Sequence, residues 1–339
     1  MTLRVSVIIP CFNEERTIAQ VLEALQRQTF PLADMEVVIA DGMSTDGTRR
    51  VIQAFAGEHP GLAIRLVDNP ARIIPAALNR AIEQARGEVI IRLDAHALPH
   101  PDYIERSLQA LEATGAANAG GIWEIQPSKK GWLARSIAAA AAHRLGAGDA
   151  RYRTLGKAGP ADTVPFGAFR REWLERIGLF DESLISNEDY ELNVRLRRAG
   201  GLVWLDPSIR SVYFARGDLP ALSRQYARYG FWKTRMLVRN VDTIRWRQAL
   251  PPAFILTAAA LAVLGIFWHP AWALLGVQWA VYAMASGCAG AAEAVTRKDL
   301  GLLLGFPLAI WTMHLSWGGG FLWGLATWLL GGRDERRGA

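Results

Sequence analysis

The chain has 339 residues, 51% of them hydrophobic, and a formal net charge of +6, which is enough for one large domain or two ordinary ones at an apolar content near that of a soluble protein. Its two cysteines, Cys11 and Cys288, lie in different regions and exclude a disulfide-built scaffold. The average hides a division: charges are scattered as far as Arg247, whereas 248–296 carries Glu293 as its only acid or base and 300–332 carries only His314.

No secretory leader is expected ahead of Arg4, because the apolar run 5–10 is too short and enters a patterned domain directly. Apolar runs at 5–9, 36–40, 63–67 and 89–93 then alternate with helix-patterned segments, the order that builds a parallel sheet wrapped by helices. Thr45 or Asp46 can cap a helix beginning at Thr48, and 76–85 has helical composition closed by Gly87. Beyond Ala116 the pattern is less regular, with strand-like pieces at 118–125 and 163–169 and a helix over roughly 188–199. This part reads as the acceptor-binding half of the same domain. The Ala-rich segment 132–144 fits a helix on a membrane surface and a helix covering the core equally well.

An interfacial helix over about 218–240 closes a domain assigned to 1–247, and a transmembrane region over 248–332 follows. Its helices are expected at 252–268, just long enough to span a bilayer core, at 271–292, comfortably so, and at 300–331. As one helix the last would reach roughly 46 Å against a hydrocarbon core of roughly 30 Å, so a break is expected at Gly318-Gly319-Gly320. Arg245, Arg247, Arg297, Lys298, Arg333, Arg336 and Arg337 flank these segments, whereas the Trp268-His269-Pro270 turn has no Lys or Arg. The basic loops, and with them the amino-terminal domain, are therefore expected on the cytoplasmic side of the inner membrane, with a multi-pass anchor. His314, in apolar surroundings, is expected to make an interhelical hydrogen bond.

In an open parallel sheet, ligands sit beyond the carboxyl ends of the strands. Strand one runs into Pro10-Cys11-Phe12-Asn13-Glu14-Glu15, strand two into the run from Asp41 to Thr48, and strand four into Asp94-Ala95-His96. Trp123 and the segment Pro165-Phe166-Gly167-Ala168-Phe169 look like an acceptor wall, since aromatic faces stack on sugar rings and glycine permits close backbone approach. Core packing is the rival reading for Phe166 and Phe169.

VSVIIPCFNEE, ADGMSTDGT, RLDAH and NEDYEL stand in this order over the chain to about Tyr229, and in this the sequence resembles glycosyltransferase family 2, the inverting transferases with a GT-A fold. RLDAHALP, TVPFGAFRR and the hydrophobic tail are most similar to membrane-associated, succinoglycan-type glucosyltransferases of bacterial exopolysaccharide assembly. The resemblance implies an α/β, Rossmann-like and mostly parallel sheet followed by C-terminal transmembrane helices. It also implies that Pro10, Phe12 and Glu14 line the base and ribose, that Asp41 accepts a hydrogen bond from an imide such as uracil's, and that Arg72 and Asn79 face the nucleotide. Helix capping competes as a reading for Asp41 and is preferred for Asp46.

Asp94 and His96 occupy the family's DxD motif, whose first and last residues help hold a divalent cation against the sugar diphosphate. Residues two apart on an extended strand end face the same side, so both can reach one ion. Imidazole in place of the final Asp suits Mn²⁺ better than Mg²⁺, and the ion is left open between them. Asp189 matches the catalytic base, with Glu188 as its supporting partner. At a helix start the positive end lowers basicity, so Asp189 is expected to act by position more than by a high pKa. Gln225-Tyr226-Ala227-Arg228-Tyr229 resembles QxxRW with Tyr229 replacing Trp, and Gln225, Arg228 and Tyr229 share one helix face. Arg228 would clamp the leaving diphosphate and Tyr229 would pack against the acceptor.

The expected reaction moves a hexose from a nucleotide-diphosphate sugar, expected to be UDP-linked, to a lipid-linked saccharide at a membrane, with no nucleic-acid partner. A polyprenyl-phosphate sugar synthase and a non-catalytic nucleotide-binding scaffold are the alternatives.

Overall fold

The computed structural model describes residues 4–154, 156–239 and 246–330; Arg245, Arg333, Arg336 and Arg337 of the expected basic flanks lie outside them. Of the described residues, those up to Glu124 together with Ala150–Phe214 form one compact unit, and Ile125–Asp149 with those from Ala215 onward form another. This differs from the single cut near 247 expected from hydropathy. Segments 125–149 and 215–239 are polar enough to read as soluble, yet they pack with the apolar helices of the second unit.

The first unit runs β1 (Val5–Cys11), α1 (Ile18–Gln26), β2 (Met35–Asp41), α2 (Thr48–Glu58), β3 (Ala63–Asp68), α3 (Ile74–Gln84), β4 (Val89–Arg92), β5 (Leu98–Pro99) and α4 (Tyr103–Thr114). β6 (Asn118–Pro127) leads into the second unit through α5 (Trp132–Ala142) and α6 (Arg144–Ala147). The chain then returns with β7 (Gly159–Pro160), β8 (Ala168–Arg170), α7 (Arg171–Ile177), α8 (Glu188–Arg198) and β9 (Val203–Ala215). Of the strand expected over 163–169 only the end is extended; the residues before it turn, with Phe166 at φ 46°.

The sheet order is β3-β2-β1-β4-β8-β6-β9-β5, with β7 paired to β9. β3, β2, β1 and β4 are parallel, and β8 is antiparallel to both β4 and β6. Strands covered on both faces are apolar throughout. Alternate residues feed two cores, Val7, Ile9, Val37 and Ile39 on one side and Ile8, Val38 and Ala40 on the other. The chain builds outward from β1 to β3, then crosses back to place β4 on the other side of β1. Consecutive connections diverge there, which opens a crevice beyond the carboxyl ends of β1 and β4.

The second unit adds α9 (Leu219–Arg239), α10 (Trp246–Phe267), α11 (Pro270–Arg297) and α12 (Leu302–Leu329). Gln248–Phe267 and Pro270–Arg297 are long and apolar enough to cross a membrane. α12, diluted by glycines, tryptophans and His314, does not meet that test among the described residues. Nor does it break at 318–320, as its glycines suggested: it runs 28 residues without interruption. Gly318 and Gly320 serve close helix packing instead. A Cβ on Gly320 would lie 2.1 Å from the Ala227 carbonyl oxygen of α9, and one on Gly318 would lie 2.8 Å from the Pro251 carbonyl of α10.

Gly320→Val is accordingly expected to force α9 and α12 apart and to destabilise the protein by about 1–3 kcal/mol, read as a fall of several degrees in the thermal unfolding midpoint of detergent-solubilised protein. α5 is a covering helix, its alanines from Ala138 to Ala141 buried beside Phe306, Ala309 and Ile310. His314 makes the expected interhelical bond: Nδ1 meets the Tyr282 hydroxyl at 3.0 Å and Nε2 meets the Leu145 carbonyl at 2.8 Å.

Candidate active site

The loops leaving β1 and β2 are tied together by short side chains. The Asn13 amide donates to Ser44 Oγ (2.8 Å), the Thr45 amide to Asn13 Oδ1 (2.8 Å) and the Glu14 amide to Thr48 Oγ1 (2.8 Å). Asn13, Met43, Arg72, Phe166 and Asn187, all non-glycine, have φ between 46° and 68°. Each sits at a carboxyl strand end, at the turn into β8 beside β4, or at the start of α8, so the local strain gathers at one end of the sheet. Positions of this kind concentrate at functional sites because the surrounding structure must hold them.

Pro10 ends β1 beside Ala40, and Phe12 beyond it is 47% exposed, its ring lying against Gly42. Exposed aromatic surface at the crevice mouth suits a stacked base. Asp41, by contrast, is fully buried. Its carboxylate accepts from the Ser44 hydroxyl and amide and from Arg49 Nη1 (3.1 Å), so it shapes the following loop rather than offering an oxygen to a base. Asp46 accepts from the Thr48 amide at the start of α2, as expected of a capping acid.

Arg72 is exposed in the turn before α3. Asn79 leaves the candidate site. It is buried, its amide nitrogen donates to the Phe180 carbonyl and to Glu182, and its oxygen accepts from the Phe180 amide, which pins α3 to a loop about 100 residues away.

The centre of the site is a residue the motif reading passed over. Arg92, the last residue of β4, is buried, and its fork reaches three acids: Nη1 donates to Glu188 (3.1 Å) and to Asp189, and Nη2 donates to Asp94 (3.1 Å). A clue was available in the sequence, because an arginine ending an apolar strand needs acidic partners, and NEDYE supplies them. Burial opposes the charge on Arg92, but Asp189, Asp94 and Glu188 raise its pKa well above the ordinary value.

Asn187, with φ 68°, turns the chain into α8 so that Glu188 and Asp189 occupy its first turn. Burial pushes Glu188 up from its ordinary 4.5 to about 7, against the pull of Arg92. Asp189 is also raised, by burial and by the Asp94 charge, although Arg92 holds it down. Burial and the Asp94 charge thus work against the low basicity expected of Asp189 from its place at the helix start.

The raised Glu188 has a consequence for stability. Between the ordinary carboxylate range and about pH 7 the folded chain binds more protons than the unfolded one, so stability falls as pH rises through that window. The unfolding midpoint of the native protein is expected to drop by on the order of a few degrees between about pH 5 and 7 relative to Glu188→Gln; parallel pH profiles of the two proteins would contradict this.

His96 lies beyond β4, its Nδ1 3.0 Å from Glu14 Oε1 across the crevice between β1 and β4. Burial acts to raise Glu14, but its hydrogen bonds with His96 and Thr17 bring it below the usual carboxylate range. A carboxylate partner on one ring nitrogen is the arrangement that orients histidine ligands at metal sites. No group of three or more His, Cys, Asp and Glu side chains is preassembled for a metal among the described residues. Asp94 is held by Arg92 and His96 by Glu14, and the Arg92 cluster, with three acids to one base, is a setting in which a cation would offset negative charge.

The acceptor wall is corrected in part. One face of Trp123 stacks on Tyr213 at 4.2 Å, with Tyr152 and Phe166 around the ring and the Arg153 guanidinium 5.1 Å from its centroid, so the half-buried ring is part of an aromatic cluster. Phe166 and Phe169 are core residues. Gly167 is required by packing, since a Cβ there would lie 2.2 Å from Asn118 Oδ1. On α9, in the other unit, Gln225 Nε2 donates to the Tyr229 hydroxyl (2.8 Å) and Arg228 is exposed beside them.

A crevice at the divergence of β1 and β4, with acids at the strand-four end, is the site of a GT-A glycosyltransferase. Residues 6–178 match the family described as Glycosyl transferase family 2, and the chain belongs to that family. It is 34% identical over 317 residues, 93% of each chain, to the succinoglycan biosynthesis protein ExoA of Rhizobium meliloti (strain 1021). It is 28% identical over 269 residues, 77% of this chain and 82% of the other, to a dolichyl N-acetyl-alpha-D-glucosaminyl phosphate 3-beta-D-2,3-diacetamido-2,3-dideoxy-beta-D-glucuronosyltransferase of Methanococcus voltae.

Among solved structures, the mannosyltransferase PcManGT from Pyrobaculum calidifontis, in complex with GDP-Man and Mn²⁺, is similar with a TM-score of 0.65 at 23% identity, over 94% of this chain and 87% of that one. S. aureus TarS 1–349 in complex with UDP gives 0.52 at 16% identity, over 98% and 93%. Both show the fold. The protein is a glycosyltransferase of polysaccharide or glycan assembly, with two helices long and apolar enough to cross a membrane.

Proposed function

We propose that the protein is an inverting transferase that moves one hexose from a nucleotide-diphosphate sugar, UDP-linked in the first instance, onto a saccharide carried by a membrane lipid. The observation that carries this reading is the single guanidinium of Arg92, which gathers Asp94 and Asp189 at the carboxyl end of β4. Donor binding and proton acceptance thereby meet in one crevice.

The base would lie against Phe12 and Pro10, with Asp41 acting through the loop it organises and Arg72 at the rim of the nucleotide site. Asp94 and His96 would hold a divalent cation with the diphosphate oxygens. When bound, such an ion offsets the charge of the departing nucleotide diphosphate. Asp189, its Oδ1 on Arg92, accepts the proton of the acceptor hydroxyl as that oxygen attacks the anomeric carbon from the face opposite the leaving group. Glu188 stands behind it as a second partner of Arg92. Gln225, Arg228 and Tyr229 form a candidate patch for the lipid-linked acceptor or its diphosphate.

The printed name of the Methanococcus voltae relative, which includes a dolichyl-linked sugar phosphate, supports a lipid-borne acceptor. α10 and α11 would cross the inner membrane as an antiparallel, multi-pass anchor, with the catalytic unit cytoplasmic. The test is a screen of UDP- and GDP-sugars by calorimetry and nucleotide release, with Mn²⁺ and Mg²⁺ compared, followed by transfer to a lipid-linked oligosaccharide and to polyprenyl phosphate. Cation-dependent binding and transfer to the saccharide are expected. Transfer to polyprenyl phosphate alone would make the protein a lipid-phosphate sugar synthase, and binding of no nucleotide sugar would remove the reading.

A further inference from the structure

We infer that Arg92 is a positioning residue for the transfer reaction, its planar fork fixing the carboxylates of Asp189 and Asp94 relative to each other. The inference rests on the functional reading above. The Arg92 side chain is 6% exposed, whereas those of Asp94 and Asp189 keep 25% and 30% of their surface open. The guanidinium thus grips both acids from inside the fold and leaves their outer sides to solvent and ligands, so Arg92 acts through them rather than on a substrate.

A purely stabilising role fits this arrangement poorly. A strand whose preceding residues are Ile90 and Ile91 has room for an apolar side chain, and replacing buried ion pairs by apolar residues is often neutral or stabilising. Three acids around one base is more negative charge than a structural ion pair needs, and Arg92 Nε is buried with no hydrogen-bond partner. What the fork supplies is geometry. Its two terminal nitrogens serve the start of α8 and the end of β4 at once, a planar two-point hold that the single ammonium of lysine cannot reproduce. Since in-line displacement loses on the order of 100-fold for a misplacement of about 1 Å, fixing two carboxylates from one plane has catalytic value.

The test uses the full chain in detergent or nanodiscs, with the donor that the wild type turns over. Arg92→Lys is expected to lower kcat about 100-fold, with a smaller loss of donor affinity, about threefold to tenfold, transmitted through Asp94. In an Asp189→Asn background the same change is expected to add little, because both act on one step. Arg92→Ala is expected to recover at least about tenfold in kcat on adding methylguanidine, which refits the vacated space. A wild-type-like kcat for Arg92→Lys would overturn the inference, as would losses in both variants that match the loss of folded protein with the specific activity of the folded fraction unchanged. A wild type that turns over no nucleotide sugar overturns this inference together with the functional reading, whereas an active wild type beside an unaffected Arg92→Lys overturns the inference alone.

Discussion

Asp189→Asn is expected to lower kcat for transfer by about three orders of magnitude, within the range that a positioned general base contributes, while donor affinity changes by less than about twofold. The substitution preserves size and leaves Arg92 its bonds to Asp94 and Glu188, so the fork is retained and only the proton-accepting oxygen is lost. The sign of the wild-type pH dependence follows from the same environment. Burial and the Asp94 charge raise the Asp189 pKa, so activity falls as pH drops through a value above the ordinary carboxylate range. Single-turnover kinetics at several pH values, with donor binding measured separately, checks both statements. A variant that keeps most of its turnover would remove Asp189 from the role of base.

Asp94→Asn is expected to fail differently. It weakens the site for a cation and a diphosphate as well as the transition state, so turnover falls by about 100- to 1,000-fold and the gain in nucleotide affinity on adding Mn²⁺ disappears. Asp189→Asn keeps that gain. Calorimetric titration of nucleotide with and without cation separates the two, and a Mn²⁺-dependent affinity in Asp94→Asn equal to the wild type would place the ion elsewhere.

The parallel half of the sheet was legible because strands covered on both faces are continuously apolar, and because turn-forming polar residues collect where β1, β2 and β4 end. Asp94 came from the same local signal, whereas Asp189 and Glu188 came from the resemblance of NEDYEL to the family's motif. What the sequence hid was non-local. Nothing near Asp41 signals that Arg49, a turn further along, closes over its carboxylate, and nothing near Asn79 points to Phe180. Arg92 was visible as a charge in a buried strand, yet two of its three acidic partners lie about 100 residues away.

The glycine run of α12 illustrates a different limit. Gly318-Gly319-Gly320 has the composition of a break and also that of a close helix contact, and only the approach of Ala227 and Pro251 decides between them. Trp123 was read as part of an acceptor wall, but composition cannot tell an aromatic face turned to a ligand from one already stacked on Tyr213.

On the mechanism proposed above, one base acting opposite one leaving group gives a single displacement at the anomeric carbon. The anomeric configuration of the newly formed linkage, read by NMR from product made with an α-linked nucleotide sugar, is therefore the most direct measurement. A β-linked product is expected; an α-linked product would mean that Asp189 does not act as the base of a direct displacement.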